Sequence, residues 1–221
     1  MEFPIWAKNI LFLLVLMISG LLLVIIIDGL MSGTELLPFN TAIESTMVHL
    51  RTPMLTTTMV VITKLGTPFL FTFLACFIAV MLFLRGDAYN ALLFLTSMAI
   101  AIAALTILKN IFQIARPASD LLSVEGWSFP SGHATVATAF FFIFAHTFFR
   151  QMRTTKRKTI LVVGSIHGAG LVSISRLYLG VHWTLDILAG VALGFLSVSF
   201  CVLIFNSLPS CWRQGSFKNS V

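Results

Sequence analysis

Long stretches without Lys, Arg, Asp or Glu alternate along this chain with short polar segments. The uncharged stretches run through residues 9–27, 65–84, 88–108, 134–149, 159–175 and 187–212. Most reach the roughly 20 residues that an α-helix needs to cross about 30 Å of hydrocarbon. The stretch at 134–149 is short, but a helix that begins at Gly132 or His133 comes close to span length. The pattern therefore predicts an all-α fold, a six-transmembrane-helix bundle in which residues 1–221 form a single membrane-integral domain.

Composition narrows the class. With 58% hydrophobic and 10% charged residues the chain is too apolar for an ordinary soluble domain. The first stretch is longer than the apolar core of a typical signal peptide and no small-x-small cleavage pattern follows it, so it is expected to stay as an anchor. The net charge of +6 raises nucleic acid as a partner, but its distribution argues against that. Arg150, Arg153, Lys156, Arg157 and Lys158 crowd one short loop between the fourth and fifth stretches. The positive-inside rule puts that loop in the cytoplasm. Counting outward then puts both termini inside, with Lys8, Arg85, Arg213 and Lys218. Asp28, Glu35, Glu44, Asp120, Glu125 and Asp186 fall outside. Such a basic loop also attracts anionic membrane lipid. Cys76, Cys201 and Cys211 have no metal-ligand spacing and read as packing residues.

No internal repeat or long polar linker divides the chain. Residues 29–64 mix Ile43, Met47, Val48 and Leu50 with Glu44, His49 and Arg51, which suits short helices at the membrane surface. Two readings stay open for this segment, a lid or lipid-entry lip and a plain connector. Gly164 with Gly168, and Gly190 with Gly194, stand four apart on the fifth and sixth spans. Small residues at that spacing let helices approach closely. The expectation is that these two spans pack on each other.

Three polar groups stand where apolar stretches begin or end: Lys109 with Arg116-Pro117; Pro130-Ser131-Gly132-His133; and Ser175-Arg176 with His182 and Asp186. Cations, hydroxyls and two imidazoles gathered at one water boundary suit phosphate, whose transfer needs fixed positive donors and an in-line nucleophile. Lys109 and Arg116 are seven residues apart, two turns if the segment is helical, and would then share a side. Arg176 adds a planar guanidinium suited to bidentate phosphate binding. Ser131 is a natural N-cap, and Gly132 lets a ligand approach the first-turn amides. Asp186, four residues beyond His182, is within reach of an imidazole nitrogen and would fix its tautomer. Asp120 and Glu125 read as solvated loop residues, and no carboxylate cluster calls for a metal, so no cofactor is expected. His146 and His167, inside spans, are expected to form interhelical hydrogen bonds; His49 is expected to be interfacial.

These groups match the three motifs of the type 2 phosphatidic acid phosphatase (PAP2) superfamily, to which glucose-6-phosphatases and soluble vanadium haloperoxidases also belong. The chain resembles that family across residues 109–186, with every motif residue in place. The resemblance implies a PAP2/haloperoxidase-like helical fold and a phosphohistidine mechanism. In it His182 is the nucleophile, His133 the general acid and base, and Asp186 the group that orients His182. Lys109, Arg116, Ser131, Gly132 and Arg176 would bind the phosphate. An extracytoplasmic site in a bacterial plasma membrane is implied, acting on a lipid phosphate, with undecaprenyl diphosphate favoured over phosphatidylglycerophosphate or phosphatidate. No protein partner is expected. A phosphotransferase using the same intermediate is an alternative reading. A non-catalytic lipid transporter is another, disfavoured because the polar groups cluster at one boundary instead of lining several spans.

Overall fold

The computed structural model describes residues 5–32, 37–122 and 124–208. Glu35, Cys211, Arg213 and Lys218 lie outside them, as does the end of the stretch expected to reach residue 212. Among the described residues the chain is all-helical, with α1 (Ile5–Met31), α2 (Leu37–His49), α3 (Pro53–Leu65), α4 (Pro68–Leu84), α5 (Ala88–Phe112), α6 (Gly132–Phe149), α7 (Thr155–Tyr178) and α8 (Thr184–Ser207).

Short polar residues set the helix starts. Thr52, Thr67, Asp87 and Thr154 each accept the amide three residues on, at 3.2–3.3 Å. That contact satisfies one of the orphan donors of a first turn. Pro53 and Pro68 take the first helical position, where the missing N–H costs nothing.

Asn9–Met31 of α1, with α5, α6, α7 and α8, are long and apolar enough to cross a membrane. The second expected span takes a different form. α4 has 17 residues, a rise of only about 25 Å. Cap and proline at Thr67-Pro68 break the helix there, and α3 meets α4 at 45°. Counted as one bent span, the pair makes six. So α3 belongs to the bundle, packed on α7, and of the segment expected at the surface α2 is the separate short helix.

α6 is the hub, packed on α4, α5, α7 and α8, while α1 lies along α8. A core of Phe94, Val136, Phe140, Ile143, Leu193 and Val198 joins these helices. Ile18, Leu21, Phe69 and Phe83 face outward, as suits helices whose solvent is lipid.

The glycine pairs act differently from the expected pairing. A Cβ on Gly190 would meet Ser131 O at 2.7 Å and one on Gly194 would meet Thr135 O at 2.8 Å, so α8 closes on α6 and not on α7. Gly168 of α7 takes the Phe141 ring of α6, and Gly164 faces open space. α7 and α8 each pack on α6 far more than on each other.

Gly190→Ala is expected to lower the thermal midpoint in detergent by an amount matching core overpacking, about 1–3 kcal/mol. Gly164→Ala should leave it unchanged or slightly raised. Melting both variants beside the parent checks this; equal midpoints for the two would refute the α6–α8 contact.

Candidate functional site

The end of α5 sets the first motif. Gln113 turns into the left-handed region (φ 47°, ψ 41°) and returns its N–H to Lys109 O, so the helix stops before Arg116. Lys109 and Arg116 are therefore not two turns of one helix. They meet through a carbonyl instead. Lys109 Nζ donates to Trp127 O at 2.6 Å, and Arg116 Nη2 donates to the same oxygen at 3.1 Å. Arg116 Nε also donates to Gly126 O at 2.9 Å. Two further bonds hold the passage that follows α5: Ser128 N donates to Ile114 O at 2.7 Å and Trp183 Nε1 to Ala115 O at 3.1 Å.

Close approach of α6 and α8 joins the second and third motifs. Ser131 N donates to Asp186 O at 3.0 Å. Ser131 holds the N-cap position of α6 as expected, but its side chain caps nothing, and its fully buried Oγ has no protein partner. His133 sits in the first turn, close enough to Arg176, His182, Arg116 and Lys109 for their charges to act on it.

His182 precedes α8, and Asp186 lies in the first turn of that helix. His182 Nδ1 is 3.3 Å from Asp186 Oδ2 and 3.3 Å from Ser128 Oγ, with both His182 and Asp186 almost wholly buried. Asp186 Oδ2 also accepts from Ser128 Oγ and, at 2.8 Å, from Trp183 N. On the other side of the ring, Arg116 Nη1 is 3.0 Å from His182 Nε2 and 2.9 Å from Val181 O.

These contacts fix the tautomer. A guanidinium has donors only, so Nε2 must face it with a lone pair. The ring proton is then on Nδ1, between the carboxylate and the serine hydroxyl. Burial pulls the His182 imidazole down to about 4 from its ordinary 6.5, against the opposing pull of Asp186, so the ring is neutral at pH 7. Burial also draws Arg116 below its usual value while Asp186 resists, and the group remains a cation.

Arg176 is 3% exposed, and its Nη1 donates to Thr63 Oγ1 of α3 at 2.8 Å. Its charge acts on Lys109, His133 and His182. All eight residues singled out in the sequence thus fall in one neighbourhood. A cleft of about 210 Å³ opens beside Arg116, walled by Leu122, Val124 and Val181. Asp120 and Glu125 are exposed. Among the described residues no three His, Cys, Asp or Glu side chains group as a metal ion would need.

One other expectation needs correction, that for His167. His167 Nδ1 pairs with Val163 O at 2.8 Å in its own helix, so its bond is not interhelical. His146 meets Phe12 of α1 edge-on at 5.1 Å. Ser128 and Thr63 escaped the sequence reading. Neither has a marked spacing, and Thr63 lies in a segment that reads as interfacial.

An all-helical bundle of membrane-spanning length, with three basic side chains and two histidines converging at one end, defines a multi-pass membrane protein built to handle phosphate. The chain belongs to the PAP2 superfamily, whose family model matches residues 90–209. It is 31% identical over 177 residues to phosphatidylglycerophosphatase B of Bacillus subtilis, covering 78% of this chain and 86% of that one. It is 42% identical over 76 residues to an undecaprenyl-diphosphatase of Sulfolobus acidocaldarius, 33% of this chain and 32% of the relative. The crystal structure of a transmembrane PAP2-type phosphatidylglycerolphosphate phosphatase from Bacillus subtilis superposes with a TM-score of 0.74 at 28% identity, covering 83% of this chain and 93% of that one. The chain is thus a membrane lipid phosphatase of the PAP2 class.

A ring nitrogen titration tests the electrostatics. In ¹⁵N-histidine protein, the signal lost in His182→Ala should titrate near pH 4 instead of 6.5. Between those values the unfolded chain binds a proton that the folded chain refuses. This residue's share of stability is therefore full above 6.5 and declines as pH falls through the window. A midpoint at or above 6.5 would overturn the assignment.

Proposed function

We propose that this phosphatase works through a phosphohistidine on His182, without a metal ion. The observation that carries the reading is the His182 ring held between Asp186 at Nδ1 and Arg116 at Nε2. Nδ1 is tied to a carboxylate that stabilises the cation formed on attack. Nε2 keeps its lone pair and lies beside a guanidinium that can take up the charge of the equatorial oxygens.

In the first step Nε2 attacks phosphorus in line, the bond to the leaving oxygen breaks, and His133 gives that oxygen a proton. In the second, His133 takes a proton from water as its oxygen attacks phosphorus, releasing inorganic phosphate and restoring neutral His182. Lys109, Arg116 and Arg176 hold the oxygens throughout, Arg176 braced by Thr63. The first turn of α6, with Ser131 and Gly132, offers its amides to the same anion.

For the substrate, the similarity to the phosphatidylglycerophosphatase is the most informative support. It runs over 78% of this chain, and so takes in helices outside residues 109–186 where a lipid would be read. The undecaprenyl-diphosphatase likeness spans only 33%. We therefore place phosphatidylglycerophosphate first and undecaprenyl diphosphate, favoured from the sequence, second. The basic segment 150–158 supports an orientation with that end of the bundle and both termini in the cytoplasm and the site on the extracytoplasmic face, and the likeness to the Bacillus subtilis enzyme supports a bacterial plasma membrane. Residues 1–221 work as one membrane-integral unit.

Purified protein in EDTA should release phosphate from both lipids, fastest from phosphatidylglycerophosphate. His182→Ala should lose both turnover and the acid-labile, base-stable phosphoenzyme trapped from ³²P-labelled donor. His133→Ala should slow turnover by about 10²–10⁴. A His182→Ala protein with near-parental rate would end the mechanism, and label passing to an added lipid alcohol would identify a transferase.

A further inference from the structure

At the end of the bundle opposite His133 and His182, a second cavity of about 680 Å³ lies between α1, α6 and α7, with Phe195 of α8 and His146 of α6 also on its wall. This size falls in the roughly 300–1,000 Å³ range of small-molecule pockets. Its walls are apolar, chiefly Phe12, Phe141, Phe142 and Phe149, and its mouth carries Arg150 and Lys158. Lys158 Nζ lies over the Phe149 ring, 5.0 Å from its centre. Thr138, 2% exposed, closes the inner end with an Oγ that has no protein partner.

The dimensions follow from the helix. Thr138 and Arg150 are twelve residues apart on α6, a rise of about 18 Å. Half of a roughly 30 Å hydrocarbon core is about 15 Å. The cavity is therefore as deep as one leaflet, apolar along its length and cationic at the water boundary. Gly168 contributes by letting the tip of the Phe141 ring reach the backbone of α7 without a side chain between them. The surrounding loop adds Arg153, Lys156 and Arg157, so the mouth lies in a field of one sign.

We propose that this cavity binds one anionic phospholipid of the leaflet opposite the catalytic end, headgroup phosphate on Arg150 and Lys158, acyl chain along the phenylalanines. Basic pockets between membrane helices recognise anionic headgroups in this way. The site is separate from phosphate hydrolysis, since the lipid's phosphate sits a bundle length from His182; His146 also lines the cavity, thirteen residues along α6 from His133.

Native mass spectrometry decides the matter, on protein released from mild detergent after equilibration with equimolar phosphatidylglycerol and phosphatidylcholine of identical chains. One phosphatidylglycerol should stay bound. Arg150→Gln with Lys158→Gln should cut its occupancy about tenfold or more, whereas Arg153→Gln with Lys156→Gln should not. Ala145→Trp, which fills the cavity and leaves the charges, should also remove it. Arg116→Ala, at the far end, should keep it. Thermal melts and phosphate release from a short-chain substrate check that the Arg150, Lys158 and Ala145 variants are folded. Equal retention of phosphatidylcholine, retention in the Arg150 and Lys158 variant, equal loss in the Arg153 and Lys156 control, loss in Arg116→Ala, or no adduct at all would each overturn the proposal.

Discussion

The approach of α8 to α6 at Gly190 and Gly194 is the constraint on which the site depends. With a side chain at either position the backbones could not close to the distance at which Ser131 N reaches Asp186 O. That single bond ties the second motif to the third. It aligns the start of α6, which carries His133, with the start of α8, which carries Asp186. Both helices present their N-terminal, positive ends to the same place. Two segments more than fifty residues apart are thereby held in register, His133 in the first turn of α6 and His182, on the connection before α8, tied to Asp186 in the first turn of that helix.

Assembling cations this way carries a cost. Lys109, Arg116 and Arg176 repel one another, and Asp186 is the carboxylate whose charge acts in their favour. Carbonyl oxygens do much of the remaining work. Trp127 O takes bonds from Lys109 and Arg116 together, and Gly126 O and Val181 O take further Arg116 donors. Arg176, nearly buried, has one side-chain partner in Thr63 and leaves Nε without one. Like charges held this close favour a multiply charged anion, because its arrival relieves both repulsion and lost hydration. The membrane fold supplies this preorganisation by carrying Lys109 and Arg176 near the ends of α5 and α7 and by tying Arg116, on the connection after α5, to three backbone carbonyls.

Much of this was legible in the chain itself. The apolar stretches gave the spans because a bilayer demands continuous apolar helix, and the three motifs named eight residues that the fold brings to one end of the bundle, because phosphate chemistry restricts the residue types. What escaped was long-range and small. The Gly190 and Gly194 spacing marks a close helix contact without naming the partner, and α6 proved to be that partner. The seven-residue gap between Lys109 and Arg116 suits a helix, yet Gln113 ends it, a break that neither glycine nor proline signals. Ser128 and Thr63 are ordinary polar residues until folding sets them beside Asp186 and Arg176. The α3–α4 bend lay in plain sight at Gly66-Thr67-Pro68, but hydropathy averaged across it.

The two ends of α6 follow different electrostatic rules, and the difference bears on why phosphate chemistry is proposed at one of them. At its start, Arg176 and Asp186 are buried and the half-buried Lys109 and Arg116 are bonded to fixed carbonyls beside a neutral imidazole, so these charges are preorganised and less screened than surface ones. At its end, Arg150 is exposed and Lys158 half-buried over an aromatic ring, where charge is mobile and solvated. A cation of the second kind holds an anion at the surface without distorting it. Only the first kind concentrates enough fixed field to favour a pentavalent phosphorus over a bound ester, which is the physical ground for proposing the chemistry at the glycine-locked end of the helix.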